Sequence, residues 1–86
     1  MSEETITEVM RFLMMSKAFL STDFHAAYYC HLYAVKAFED GEHCVSPLAQ
    51  EVLAEKLEEQ AKALSSRFSD LKGWYGKWAY QLGVLN

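Results

Sequence analysis

The sequence predicts an all-α protein, a small antiparallel bundle of three to four helices forming a single domain over residues 1–86. Three observations predict it. Apolar residues recur at three-to-four spacing along most of the chain, the period of a helix with one buried face. Residues that cap helices, among them Thr5, Asp23 and Ser46-Pro47, stand at the boundaries of those periodic segments. Nothing alternates with period two for long enough to be a strand. With 86 residues the core is near the lower size limit for standing unaided, and a hydrophobic share of 51% with 14% aromatics supplies it.

The first helix is expected from Thr5-Ile6-Thr7-Glu8, which fits a capping box with Thr5 as N-cap and Glu8 reaching back to its amide. Ile6, Val9, Met10, Leu13 and Leu20 then form an apolar face, widened by Phe12, Met15 and Phe19. Ser21-Thr22-Asp23 is the next cap cluster. It opens the second helix, which closes at Asp40-Gly41, where glycine can take the left-handed conformation that ends helices.

That second helix, Phe24 to Phe38, has almost no solvated face. Only His25, Lys36, Glu39 and Asp40 cluster on a polar strip, and Tyr29 and Leu32 fall within it. A helix apolar nearly all round must be buried on nearly all sides. It is therefore expected to be the hub of the bundle or half of a subunit interface, with Tyr29, Leu32 and Tyr33 as candidate contact residues.

Ser46-Pro47 starts the third helix, with proline at the first helical position. Leu48, Val52, Leu53, Leu57, Ala61 and Leu64 are its expected apolar face, with Glu51, Glu55, Glu58, Glu59 and Lys62 opposite. A break near Ser65-Ser66 and a fourth helix through Phe68, Leu71, Tyr75, Trp78 and Leu82 are preferred to one continuous helix. Gly73, Gly76, Gly83 and Ala79 would share about 120° of arc on that fourth helix. Such a flat face permits close docking beside Trp74 and Trp78; the competing reading is that Gly73 or Gly76 breaks the segment into turns.

Charge is unevenly distributed. Residues 1–60 hold eleven acids against Arg11, Lys17, Lys36 and Lys56, whereas residues 61–86 hold four bases against Asp70. The basic and aromatic residues near the C-terminus invite a nucleic-acid reading, yet Lys62, Arg67, Lys72 and Lys77 recur every five residues and scatter around a helix. With a net charge of −4, counterion release on nucleic acid would be small, so no direct nucleic-acid contact is expected. No apolar run approaches the roughly 20 residues of a membrane span. The acidic start Met1-Ser2-Glu3-Glu4 lacks the basic segment of a signal peptide, so a cytoplasmic protein with reduced cysteines is expected.

No catalytic constellation emerges. Cys30 and His31 are adjacent, pointing about 100° apart on a helix, so neither a metal site with Cys44 and His43 nor a thiol–imidazole pair fits the spacing. No glycine-rich phosphate loop and no paired Glu-x-x-His occur. The expectation is no enzyme, no metal and no cofactor. Glu51, Glu55, Glu58 and Glu59 do form one stripe of about 100°. Solvated surface is the plain reading of that stripe. The sharper one is an acidic face that occupies the basic channel of a nucleic-acid-binding protein.

Ala18, Leu20, Asp23, Phe24, Ala27, Tyr28, Tyr29, Ala34, Lys36 and Ala37 stand in a pattern that resembles the first helix pair of HEPN domains. The resemblance covers residues 18–39 and implies an antiparallel bundle, frequent dimerisation, and either RNA cleavage or binding to a partner protein. The family's nuclease motif places histidine four to six residues after an arginine. Arg11 and Arg67 have no histidine at that distance, so the resemblance implies an assembly or adaptor role without nuclease activity.

The function expected is thus a non-enzymatic protein–protein interaction module, homodimeric, contacting itself and an unidentified protein. Its candidate partner-binding residues are Tyr29, Leu32, Tyr33, Glu51, Glu55, Glu58, Trp74 and Trp78. The alternative is an acidic inhibitor, such as one carried by a phage or mobile element, that blocks a nucleic-acid-binding protein.

Overall fold

Among the described residues, three helices fold up, down and up again. The structure, a computed structural model, describes residues 2–65. They form α1 (Ser2–Phe19), α2 (Phe24–Gly41), a single 3₁₀ turn (Glu42–Cys44) and α3 (Pro47–Ser65), with no strand among the described residues. The predicted all-α bundle is what the chain adopts. The expected break at Ser65-Ser66, the fourth helix with Trp74 and Trp78, and the glycine face at Gly73, Gly76 and Gly83 lie outside the described residues.

Two of the expected starts are made by the residues that suggested them. Asp23 is extended (φ −149°, ψ 94°) and its Oδ1 accepts from the Ala26 amide at 3.1 Å, which satisfies one donor at the start of α2. Ser46 Oγ accepts from the Ala49 amide at 3.2 Å, and Pro47 is the first residue of α3. Two other local expectations are corrected. α1 begins at Ser2, so Thr5 lies inside the helix and is not its cap; Glu3 and Glu4 occupy the first turn, where carboxylates favour the positive end of the helix dipole.

Gly41 is the second correction. Its φ of −121° and ψ of 4° are not left-handed, and the chain turns directly into the 3₁₀ segment. The glycine is needed for space. An added Cβ would strike the Thr5 side chain, with Oγ1 closest and Cγ2 at 2.8 Å, where the start of α1 crosses the end of α2. Thr5 is β-branched and its own Cβ lies 3.0 Å from that point, so rotation about χ1 does not clear the clash. Gly41→Ala should therefore destabilise the protein by about 1–3 kcal/mol, the usual cost of overpacking. A melting temperature equal to that of the wild type would refute the close approach.

The helices bury two apolar clusters with a polar layer between them. The larger contains Val9 and Leu13 from α1, Ala34, Val35 and Phe38 from α2, and Leu53, Ala54 and Leu57 from α3. The smaller lies at the α1–α2 turn, where Phe19, Leu20, Phe24 and Tyr28 pack around Ala27 and Leu64. Between them sit Ser16, His31 and Gln60, all buried. Ser16 Oγ donates to the Ala27 carbonyl at 2.7 Å and accepts from Gln60 Nε2 at 2.9 Å. His31 Nε2 donates to the Leu57 carbonyl at 2.9 Å. These bonds join all three helices at one level. A slip of any helix would strand buried polar groups, so the layer fixes register as well as contributing stability.

Candidate interaction surface

Among the described residues α2 is not covered on all sides. Its buried residues are Ala27, Cys30, His31, Ala34, Val35 and Phe38, which face α1 and α3. His25, Tyr29, Tyr33, Lys36 and Asp40 are exposed along the opposite side at helical spacing. Among the described residues α1 and α3 thus cover only part of its circumference, so the hub of the two alternatives is not complete there. Tyr29 and Tyr33 retain 55% and 57% of their surface in water, while Leu32 is half-buried.

These tyrosines belong to a surface shared with α1. The Tyr33 ring packs on Phe12 with centroids 5.6 Å apart and planes tilted by 37°, and Tyr29 meets Tyr28 edge-on at 5.3 Å. Met15 lies one turn along α1 from Phe12, as Tyr29 lies one turn along α2 from Tyr33. Because the helices run antiparallel, the two pairs flank the same groove. Met15 is 40% exposed, and Met14 beside it is exposed further round α1. Exposed apolar side chains scattered singly are ordinary, whereas several on one side of a hairpin make a candidate contact surface.

Charges of both signs border the same face. No carboxylate occurs from Arg11 to Thr22 or from Phe24 to Phe38, and the cations Arg11 and Lys36 stand near the ends of those stretches. Carboxylates resume one turn further on, at Glu8 and Asp40. Lys36 pairs with Asp40 at 3.8 Å, but both side chains are largely solvated, and such a pair contributes little.

The acidic stripe of α3 is rearranged relative to expectation. Glu51, Glu55 and Glu59 are exposed, whereas Glu58 is half-buried with Oε2 shielded from water. Leu48 and Val52, expected in the apolar face, stand outside at 70% and 42% exposure. Leu48, Val52, Glu55 and Glu59 fall within about 60° of arc, making one outward stripe that is apolar at its start and acidic beyond. The cause is the inward turn of Gln60: with Leu53, Leu57, Gln60, Ala61 and Leu64 buried, the rotation of α3 leaves Leu48 and Val52 facing water.

The cysteines and histidines do not assemble. Among the described residues no group of three or more His, Cys, Asp or Glu side chains could hold a metal ion. His31 is committed to the Leu57 carbonyl, Cys30 is buried, and Cys44 is exposed. Burial raises the Cys30 thiol pKa, which disfavours the nucleophilic thiolate. No described helix is long and apolar enough to cross a membrane. Of the sequence-predicted contact residues, Tyr29, Tyr33, Glu51 and Glu55 are exposed, and Trp74 and Trp78 lie outside the described residues. Sequence reading passed over Met15, Leu48 and Val52, which the helical period had placed with the core. No protein-family model, curated protein or solved structure matches the chain.

Proposed function

We propose that the protein is a non-enzymatic protein–protein interaction module that self-associates through the outer face of the α1–α2 hairpin. The observation that carries this reading is the pair Tyr29 and Tyr33, each more than half exposed, with Phe12 packed on Tyr33 and Met15 exposed one turn along α1. Tyrosine offers a large rigid contact area with few rotamers to freeze, and partly apolar faces of this kind are relieved by association. The HEPN resemblance of residues 18–39 points the same way, since that family dimerises frequently. A dimer is the first product of such association. Glu55 and Glu59, two of the four carboxylates that also suggested an acidic inhibitor, share their stripe with Leu48 and Val52, as a protein-facing surface would.

Sedimentation velocity at micromolar concentration tests the reading. The wild-type chain should sediment above the monomer mass, and the double variant Tyr29→Ser, Tyr33→Ser should sediment as a folded monomer. A wild-type monomer up to roughly 100 μM, where contacts of even about 5 kcal/mol would register, would overturn it.

A further inference from the structure

Leu48 and Val52 are 70% and 42% exposed to the described part of the fold, on a stripe of α3 that continues through Glu55, Glu59 and Lys62. We infer that residues 66–86 turn back after Ser65 and lay their apolar side antiparallel along this stripe of their own chain. The inference goes beyond the self-association reading and does not depend on it. Consecutive elements usually pack side by side, and two to five residues are enough to reverse the chain between antiparallel helices. α3 has 19 residues, and residues 68–85 reach about 27 Å when helical, enough to return to Leu48. Their helical spacing gathers Phe68, Leu71, Tyr75, Trp78 and Leu82 within about 80° of arc, and this arc is the side that meets α3.

The order of residues selects this stripe and this direction. With a two-residue turn after Ser65, positions level with each other add to about 133 in number. Leu85 then comes level with Leu48, and Leu82 falls within one residue of the level of Val52. Lys62, the one cation of the stripe, meets Asp70, the one acidic side chain of residues 66–86. Glu59 and Glu55 meet Lys72 and Lys77. Each of these three pairs lies within two residues of level, a short distance for long side chains. The flanks agree as well. Asp70 and Lys77 border the apolar arc on the side that meets Glu55 and Lys62, and Lys72 borders the other. Lys56 shares the flank of Lys72 but stands more than a turn out of its level. Solvated pairs contribute little energy, so they set the register while burial of the apolar residues holds the contact.

Trp74 and Trp78 are the only tryptophans of the chain, so tryptophan fluorescence reads this segment alone. The full chain is measured with Tyr29→Ser and Tyr33→Ser in place, so that self-association does not enter. Its emission should lie to the blue of the urea-unfolded chain, and adding Leu48→Lys with Val52→Lys should move it to the unfolded value. Circular dichroism checks that the helices persist; if they do not, Glu55→Lys with Glu59→Lys takes the place of that pair. This charge reversal should redden the emission too, and Lys72→Glu with Lys77→Glu should restore it. Emission at the unfolded value from the start, emission unmoved by changes to the stripe, or a charge reversal without restoration would each overturn the inference. Blue emission in the wild type that Tyr29→Ser and Tyr33→Ser abolish would place the segment on the α1–α2 face, and would overturn the proposed self-association surface as well. Emission that reddens on dilution would mean that a second copy's segment fills the stripe, which overturns the contact within one chain. Sedimentation reads self-association separately, so a wild-type monomer with docked tryptophans would remove that reading and leave this one.

Discussion

Acidification from pH 7 to pH 4 should cost the fold about 3 kcal/mol through His31 alone. The imidazole is fully buried, and burial pushes its pKa down from 6.5 to about 4, against the opposing pull of the Leu57 carbonyl that its Nε2 contacts. Because the folded pKa lies below the unfolded one, the unfolded chain binds more protons between those values. The stability linked to neutral His31 is complete above pH 6.5 and is lost as the pH falls through 4. Carboxylate titration adds its own slope in this range, so the comparison needs a matched control. His31→Gln keeps an Nε2–H able to reach the Leu57 carbonyl and does not titrate. Urea midpoints at pH 7 and pH 4 should show a loss in wild type larger than in His31→Gln by about 3 kcal/mol. Equal losses would mean that His31 is accessible to protons in the folded protein.

Phe38→Ala should be more damaging still, by about 3–5 kcal/mol. Phe38 is 1% exposed and belongs to the cluster that draws on all three helices, with Val9 and Leu13 on one side and Leu53 and Leu57 on another. Truncation removes a ring from water-free contact and leaves a cavity that rigid helices fill only in part. A chain this short has a total stability on the order of 5–10 kcal/mol, so the variant should melt near or below physiological temperature. Phe38→Leu, which conserves most of the volume, should cost less than half as much. Thermal melting followed by circular dichroism distinguishes the two, and equal melting temperatures for wild type and Phe38→Ala would exclude this packing.

The local chemistry of the chain is legible without its fold. Asp23 and Ser46-Pro47 start helices because their side chains or ring satisfy the requirements of a helix N-terminus within three residues, a purely local matter. The exposure of Tyr29 and Tyr33 was also within reach, because helical spacing places them beside His25, Lys36 and Asp40. The start of α1 was misplaced, since a capping box reads equally well in sequence when the helix has already begun one turn earlier.

What the tertiary structure alone decided is how each helix is turned about its own axis. Periodicity shows which residues share a face, but neighbouring faces of α3 differ by less than the width of its apolar arc. Gln60, polar and placed by spacing among leucines, gives no sign in sequence that it turns inward to Ser16, 44 residues away. Once it does, and His31 binds the Leu57 carbonyl, α3 is fixed in rotation; Glu58 is drawn partly under cover and Leu48 and Val52 are left outside. Gly41 follows the same rule. Its sequence context suggests a turn, but its function is set by Thr5, which only the crossing of α1 and α2 brings against it. Local signals fix where helices begin because capping bonds span a few residues, whereas faces and crossings depend on buried contacts between residues far apart in the chain, which no single segment encodes.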